Sequence, residues 1–99
     1  MGNKHFYVGT YTQPILFGTG DIFQGKGKGI YYLSMEPDSG ALSIEGITEP
    51  VDNPSYLCLS PDRKFLYAVN ELKQFEGQNC GAVSAFSVNQ QTGALTFLN

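Results

Sequence analysis

The hydrophobic positions of this chain fall in short runs separated by turn residues, a pattern typical of β-strands. Two central runs, Tyr56–Leu59 and Phe65–Val69, flank the sequence Ser-Pro-Asp-Arg-Lys. Proline presets φ at the second position of a turn, and aspartate accepts hydrogen bonds from nearby backbone amides. We therefore expect an antiparallel hairpin. Because Phe65–Val69 is apolar without alternation, we expect sheet to cover this strand on both faces.

Further strands are predicted on both sides of the hairpin, at Phe6–Tyr11, Ile30–Met35, Leu42–Ile47, Ala82–Val88 and Ala94–Leu98. Leu42–Glu45 alternates apolar and polar residues, which indicates a strand with one wet face. The glycine-rich connection 12–28 carries five apolar residues that we expect to pack onto a neighbouring element: Ile15, Leu16, Phe17, Ile22 and Phe23. No apolar series at three- and four-residue spacing predicts a helix.

A repeat relates the two halves of the chain. Ile30 aligns with Val83 and Gly40 with Gly93, at a constant interval of 53 residues. A repeat of roughly 40 to 50 residues that holds four strands is typical of a β-propeller blade. With strands named a to d from hub to rim, blade 2 has strands a to d within about 53–99. Blade 1 has strands b to d within about 5–48 and lacks strand a.

The fold class is therefore predicted to be all-β, with about one and three-quarter blades of a propeller within residues 1–99. A propeller typically needs about four to eight blades to close its ring, so two blades alone leave apolar faces uncovered. We expect this chain to be the N-terminal part of one propeller domain, whose remaining blades are its partners. The missing strand a would come from the C-terminus of the intact protein. The alternative is a free-standing seven-stranded sandwich.

Charge and composition limit the kinds of molecule that this chain could bind. A net charge of −3 with six lysine and arginine residues argues against binding nucleic acid or an anionic membrane. The first ten residues lack the apolar core of a signal peptide, and no apolar run approaches the roughly 20 residues of a membrane span. Cys58 and Cys80 lack metal-ligand spacing, and we expect Cys58 to behave as a small buried hydrophobe. We predict a cytoplasmic setting, with no metal and no cofactor.

Seven motifs together resemble the lactonase family of seven-bladed β-propellers: Phe6–Thr12, Lys28–Tyr31, Ser39–Leu42, Asn53–Tyr56, Ser60–Asp62, Leu66–Glu71 and Thr92–Leu95. The resemblance covers nearly the whole chain but about the first quarter of a family member. It implies a hydrolase that opens 6-phosphogluconolactone, a small sugar lactone. A fungal branch of the family cyclises carboxymuconate instead. A non-catalytic propeller that binds proteins or ligands is a further alternative, because propellers host many functions.

Alternate loops of an antiparallel meander share one end of the sheet. The loop end that carries 12–28, 49–54 and 73–79 therefore brings together the candidate site residues near the hub: Thr10, Tyr11, Asn53, Ser55, Asn70 and Glu71. Lactone hydrolysis needs a base that activates water and donors for the developing oxyanion. Glu71 ends an apolar strand at this end, so it is the predicted base or ligand-orienting group. The alternative is an ion pair between Glu71 and a cation of the next blade.

The other candidates have alternatives of their own. Asn53 and Ser55 are predicted either to bind substrate hydroxyls or to turn the chain into strand a. Lys28, in the run Gly25–Gly29, either contacts a substrate phosphate or is simply solvated. Tyr11 and Asn70 complete the predicted substrate-binding set. His5 lies about one strand length from Glu71 and is expected at the opposite end. We expect residues 1–99 alone to have little or no activity.

Overall fold

The computed structural model describes residues 3–16, 19–72 and 81–99, with the backbone alone at 15 and 16. In these ranges the chain forms strands and turns and contains no helix. The strands are β1 (Lys4–Val8), β2 (Pro14–Leu16), β3 (Ile22–Gln24), β4 (Ile30–Met35), β5 (Leu42–Thr48), β6 (Pro54–Leu59), β7 (Phe65–Asn70), β8 (Ala82–Val88) and β9 (Leu95–Phe97).

Two antiparallel meanders dominate the structure. The first sheet has the order β1-β4-β5 and the second the order β6-β7-β8-β9. Neighbouring strands are consecutive in the chain except that β2 and β3 lie between β1 and β4. The second sheet is a four-stranded blade, and the first is a blade without its inner strand. The predicted fold class is confirmed. A two-stranded ribbon, β2-β3, forms within the connection between β1 and β4.

The turn between the third and fourth strands is built in the same way in both blades. Glu36 accepts the amides of residues 38 and 39, and Asn89 accepts those of residues 91 and 92. Each turn closes on a glycine with positive φ, Gly40 at 75° and Gly93 at 78°, a conformation that glycine adopts without steric cost. The hydrogen bonds from Ser39 and Asp38 hold the pKa of Glu36 below its usual range. The sequence repeat thus reflects a repeated turn structure.

The hydrophobic core lies between the two blades. Its buried members come from β4, the interblade connection, β7 and β8: Ile30, Val51, Leu66, Ala68 and Phe86. Half-buried side chains from both blades pack around them: Tyr7, Leu57, Val88 and Leu95. Burial of this interblade core fixes how the blades stack, because non-directional apolar contacts gain most where two complementary faces meet.

The outer face of each blade is exposed to solvent. In β7, Leu66 and Ala68 face the core, whereas Tyr67 and Val69 are 42% and 44% exposed. Within these residues sheet covers the strand on one side only, which agrees with the expectation that two blades alone leave apolar faces uncovered. Leu42 and Ile44 of β5 are also exposed, at 58% and 60%, although their alternation predicted burial. Both blades therefore present apolar side chains on the faces directed away from each other.

Two further expectations fail. Cys58 is exposed rather than buried, since it lies on the outer face of the second blade. In the connection 12–28, Ile22 is 70% exposed rather than packed down, whereas the ring of Phe23, which is 45% exposed, contacts the ring of Tyr11 edge-on with centroids 6.2 Å apart. The expected packing of Phe17 and the position of Cys80 lie outside the described residues, and so do the side chains of Ile15 and Leu16.

Candidate functional site

A tyrosine of one blade and a carboxylate of the other meet at the loop end. The hydroxyl of Tyr11, three residues beyond β1, donates a hydrogen bond to Oε1 of Glu71 at 3.0 Å. Glu71 directly follows β7 and is exposed. The hydrogen bond to Glu71, with smaller effects from burial and from its negative charge, raises the pKa of Tyr11. The phenol therefore stays protonated and keeps donating to the carboxylate across the neutral range. We refer to these residues as the Tyr11–Glu71 pair.

A second polar contact lies beside this pair. Nε2 of Gln13 donates to Oδ1 of Asp52 at 2.8 Å, and both side chains are exposed. Asp52 precedes Asn53, whose carbonyl oxygen accepts the amide of Glu71 at 3.0 Å. The loop end thus presents two carboxylates, a phenol and a primary amide to solvent, which is a set suited to binding hydroxyl groups.

Asn53 lies beneath these exposed groups and is 2% exposed. Its Oδ1 accepts the backbone amides of Thr12 and Gln13 at 2.8 and 2.9 Å, and its Nδ2 donates to the carbonyl oxygen of Glu71 at 3.1 Å. The backbone of Asn53 has a φ of 40°, which asparagine tolerates better than most residues. These bonds occupy the amide group, and they favour the alternative in which Asn53 turns the chain.

Asn70 has a similar buried setting. Its Nδ2 donates to the carbonyl oxygen of Asp52 at 2.7 Å, and its Oδ1 accepts the hydroxyl of Ser84 at 2.7 Å. With 5% of its surface exposed, Asn70 ties the interblade connection to β7 and β8. Ser55 lies at the irregularity between Pro54 and Tyr56 in the β6–β7 pairing and is half-buried.

The glycine–lysine run is extended chain rather than a loose loop. The amides of Gly25 and Gly27 donate to the carbonyl oxygens of Gln13 and Tyr11, at 3.3 and 3.0 Å. A Cβ at Gly25 would lie 2.5 Å from the backbone of Tyr11, and one at Gly27 would overlap the side chain of Thr10. The glycines therefore permit close approach to the segment after β1. Lys28 is exposed on this run, and its amide donates to the Tyr31 hydroxyl at 3.2 Å.

The opposite end of the blades holds a separate cleft of about 590 Å³. His5 lines it and stacks on Tyr32, with ring centroids 5.6 Å apart. Arg63, in the β6–β7 turn, lines the same cleft, and its carbonyl oxygen accepts a hydrogen bond from Nε2 of Gln90 at 3.0 Å. The turns 61–64 and 89–93 therefore share this end. The structure places His5 here, at the other end of the strands from Glu71.

The described ranges hold neither a cluster of metal-ligating side chains nor a long apolar helix. Within them, no group of three or more histidine, cysteine, aspartate or glutamate side chains is placed to hold a metal ion. The same residues include no helix with the length and apolarity that crossing a membrane would require.

Comparison with known proteins places this arrangement in a family. A family model described as lactonase, 7-bladed beta-propeller, matches residues 5–99. This chain belongs to that lactonase family. The match spans both blades and every residue of the loop-end site, from Tyr11 to Glu71.

Individual relatives agree with this family assignment. It is 31% identical over 93 residues to the 6-phosphogluconolactonase of Bacillus subtilis strain 168, covering 94% of this chain and 22% of the relative. It is 32% identical over 73 residues to a 6-phosphogluconolactonase of Formosa agariphila, covering 74% and 20%. A crystal structure of a 6-phosphogluconolactonase candidate from Bacteroides fragilis superposes with a TM-score of 0.75 and 36% identity, covering 98% and 23%. The chain thus spans about a fifth of the length of these relatives.

Sequence reasoning placed Tyr11 and Glu71 at the same end but did not predict that they touch. It missed Gln13 and Asp52. Their positions in the sequence could have indicated them, because each is a polar residue in a predicted connection at the loop end.

Proposed function

We propose that the intact protein hydrolyses a sugar lactone, 6-phosphogluconolactone, at the loop end that carries the Tyr11–Glu71 pair. The observation that carries this proposal is the hydrogen bond between Tyr11 and Glu71 across the two blades, at 3.0 Å. The names of the relatives, 6-phosphogluconolactonase in Bacillus subtilis and in Formosa agariphila, supply the substrate class.

The proposed reaction needs a base beside the lactone carbonyl. Glu71 accepts a proton from water as the water oxygen attacks the carbonyl carbon. The bond between that carbon and the ring oxygen then breaks, and the ring oxygen takes the proton back from Glu71 to become a hydroxyl, which restores the carboxylate. Tyr11 bonds to Oε1 of Glu71, and within the described residues Oε2 has no hydrogen-bond donor, so Oε2 is the atom that receives the proton. The product is a ring-opened carboxylic acid, which is ionised at neutral pH.

The neighbouring groups fit the rest of the substrate. The carboxylate of Asp52 and the amide of Gln13 are exposed beside the pair and can exchange hydrogen bonds with sugar hydroxyls. Lys28 is also exposed and is our proposed contact for the substrate phosphate. Lysine binds phosphate as a point charge.

The proposal also includes what covers the outer faces of the blades and where the protein is located in the cell. We propose that neighbouring blades of the same protein cover the apolar outer faces, because large exposed apolar patches mark contact surfaces. We also propose a cytoplasmic location, which cell fractionation tests directly.

A substrate panel tests the function. Purified full-length protein is assayed with 6-phosphogluconolactone, with the unphosphorylated gluconolactone and with a muconolactone. We expect opening of the phosphorylated lactone well above its spontaneous rate, and a Lys28→Ala variant with a raised KM for that substrate alone. Activity on the muconolactone alone would identify the cyclase branch. No rate above the spontaneous one on any of the three would leave the scaffold alternative.

A further inference from the structure

Three segments of the chain converge on Asn53. The first is 11–13, which leads away from the first blade. The second is the interblade connection that contains Asn53, and the third is Glu71 at the end of β7. Oδ1 of Asn53 accepts the two backbone amides of Thr12 and Gln13, and Nδ2 donates to the carbonyl oxygen of Glu71. One buried amide group therefore bonds to both sides of the interblade junction.

The backbone of Asn53 repeats these connections. Its amide donates to Oγ1 of Thr12 at 3.0 Å, and its carbonyl oxygen accepts the amide of Glu71 at 3.0 Å. Both backbone polar groups of Glu71 are thus held by Asn53. Thr12, the neighbour of Tyr11, is held by the side chain and by the backbone of the same residue.

We propose that Asn53 is the positioning residue that sets the distance between Tyr11 and Glu71 across the two blades. It acts through the backbone of Thr12 and Glu71 and does not touch substrate, since it is 2% exposed. The expected effect of Asn53 on catalysis rests on the proposed function. Its expected effect on the hydrogen bond between Tyr11 and Glu71 is independent of that function.

The chemistry of this position is specific to asparagine. A single short side chain must accept two amides and donate to one carbonyl, and a primary amide has both an acceptor oxygen and donor hydrogens. The backbone φ of 40° disfavours most side chains, whereas asparagine and glycine tolerate it. Aspartate keeps the acceptor but loses the donor to Glu71. Glycine keeps the backbone conformation and removes the side-chain bonds.

The test uses full-length Asn53→Gly with Arg63→Gly as its matched control. Arg63 is the other described non-glycine residue with positive φ, at 61°, and it lies at the opposite end. Tyrosines are labelled with ¹³C at the ζ carbon and titrated by NMR, and Tyr11→Phe assigns the Tyr11 signal. In the parent, the hydrogen bond to Glu71 raises the pKa of Tyr11. We expect this pKa to fall towards the ordinary value in Asn53→Gly and to stay unchanged in Arg63→Gly.

Kinetics give the second readout. Misplacing a reacting group by about 1 Å costs about 100-fold in rate, so we expect kcat to fall by about that factor in Asn53→Gly with a smaller change in KM. Asn53→Asp, which retains the two bonds to Thr12 and Gln13, should fall between the parent and Asn53→Gly in both readouts. It also serves as the variant to measure if Asn53→Gly does not fold.

The two proposals fail separately. An unchanged Tyr11 titration in Asn53→Gly, or in Asn53→Asp where that variant is the one that folds, would overturn the positioning role whatever the activity. A shifted Tyr11 titration in a protein whose parent opens no lactone would support the positioning role and refute the proposed function.

Discussion

The hydroxyl of Tyr7 in β1 donates a hydrogen bond to the carbonyl oxygen of Gly93, 86 residues further along the chain, at 2.6 Å. Tyr7 also contacts Tyr32, with ring centroids 4.8 Å apart, and the ring of Tyr32 lies over the α-carbon of Gly93. This contact joins the first blade to the turn of the second at the end opposite the Tyr11–Glu71 pair. The two blades are thus joined by polar contacts at both ends and by the interblade core between them.

Gly93→Ala is expected to destabilise the protein more than Gly40→Ala. Both glycines close equivalent turns with nearly equal φ, so both substitutions add about 1 kcal/mol of backbone strain. A Cβ at Gly93 would also overlap the Tyr32 ring, whereas one at Gly40 meets open space. Overpacking adds about 1 to 3 kcal/mol at Gly93 alone. Urea unfolding of the two full-length variants measures the difference, and equal losses would contradict the interblade contact.

Tyr7 should make stability depend on alkaline pH. Desolvation, with a smaller effect from Tyr32, raises the pKa of Tyr7 to about 12. A raised folded-state pKa gives stability that is fully present below the unfolded value of about 10 and is lost as pH rises to about 12. Because Tyr7 is half-buried, we expect about 1 kcal/mol rather than the full linkage value. Unfolding of the parent and Tyr7→Phe at pH 8 and pH 11 tests this, and Tyr7→Phe should lack this part of the loss.

Val83→Asp tests whether other blades cover the outer face of the second blade. Val83 is 65% exposed here and aligns across the strands with Val69 and Tyr56, at 44% and 71%. If neighbouring blades cover this row, a buried unpaired carboxylate should cost about 3 kcal/mol or more in the full-length protein. Gln91→Asp, in an exposed turn, is the control and should change stability by less than about 0.5 kcal/mol. Thermal unfolding that shows equal effects would mean that the face is open to solvent.

The two-blade architecture could be predicted because the repeat consists of short local patterns of strand and turn residues. Turn residues at an interval of 53 placed Gly40 and Gly93 in equivalent positions, and the structure gives both the same positive φ. Burial was harder to predict. The apolar residues of β7 indicated cover on both faces, but cover depends on what packs against the strand. Ile22 and Cys58 were misplaced for the same reason, because composition alone does not say which side of a strand has a neighbour.

The candidate site was predicted in part. The meander rule placed Tyr11 and Glu71 at one end and His5 at the other, because alternate loops share an end. The bonds of Asn53 were beyond sequence reasoning, since they join residues 18 and 41 positions away through backbone groups that have no sequence signature. A pattern can place a residue in a turn, but it does not identify which distant amides that residue accepts.

The most direct measurement is the rate of 6-phosphogluconolactone opening by the full-length protein, by Glu71→Gln and by Glu36→Gln. Glu36 holds a turn at the opposite end, and glutamine there retains an oxygen that can accept amides. We expect the parent to exceed the spontaneous rate. Glu71→Gln should lose about 100-fold or more, as expected for removal of a general base, and Glu36→Gln should stay within about twofold. A parent no faster than spontaneous opening, or a Glu71→Gln variant as fast as the parent, would contradict this account.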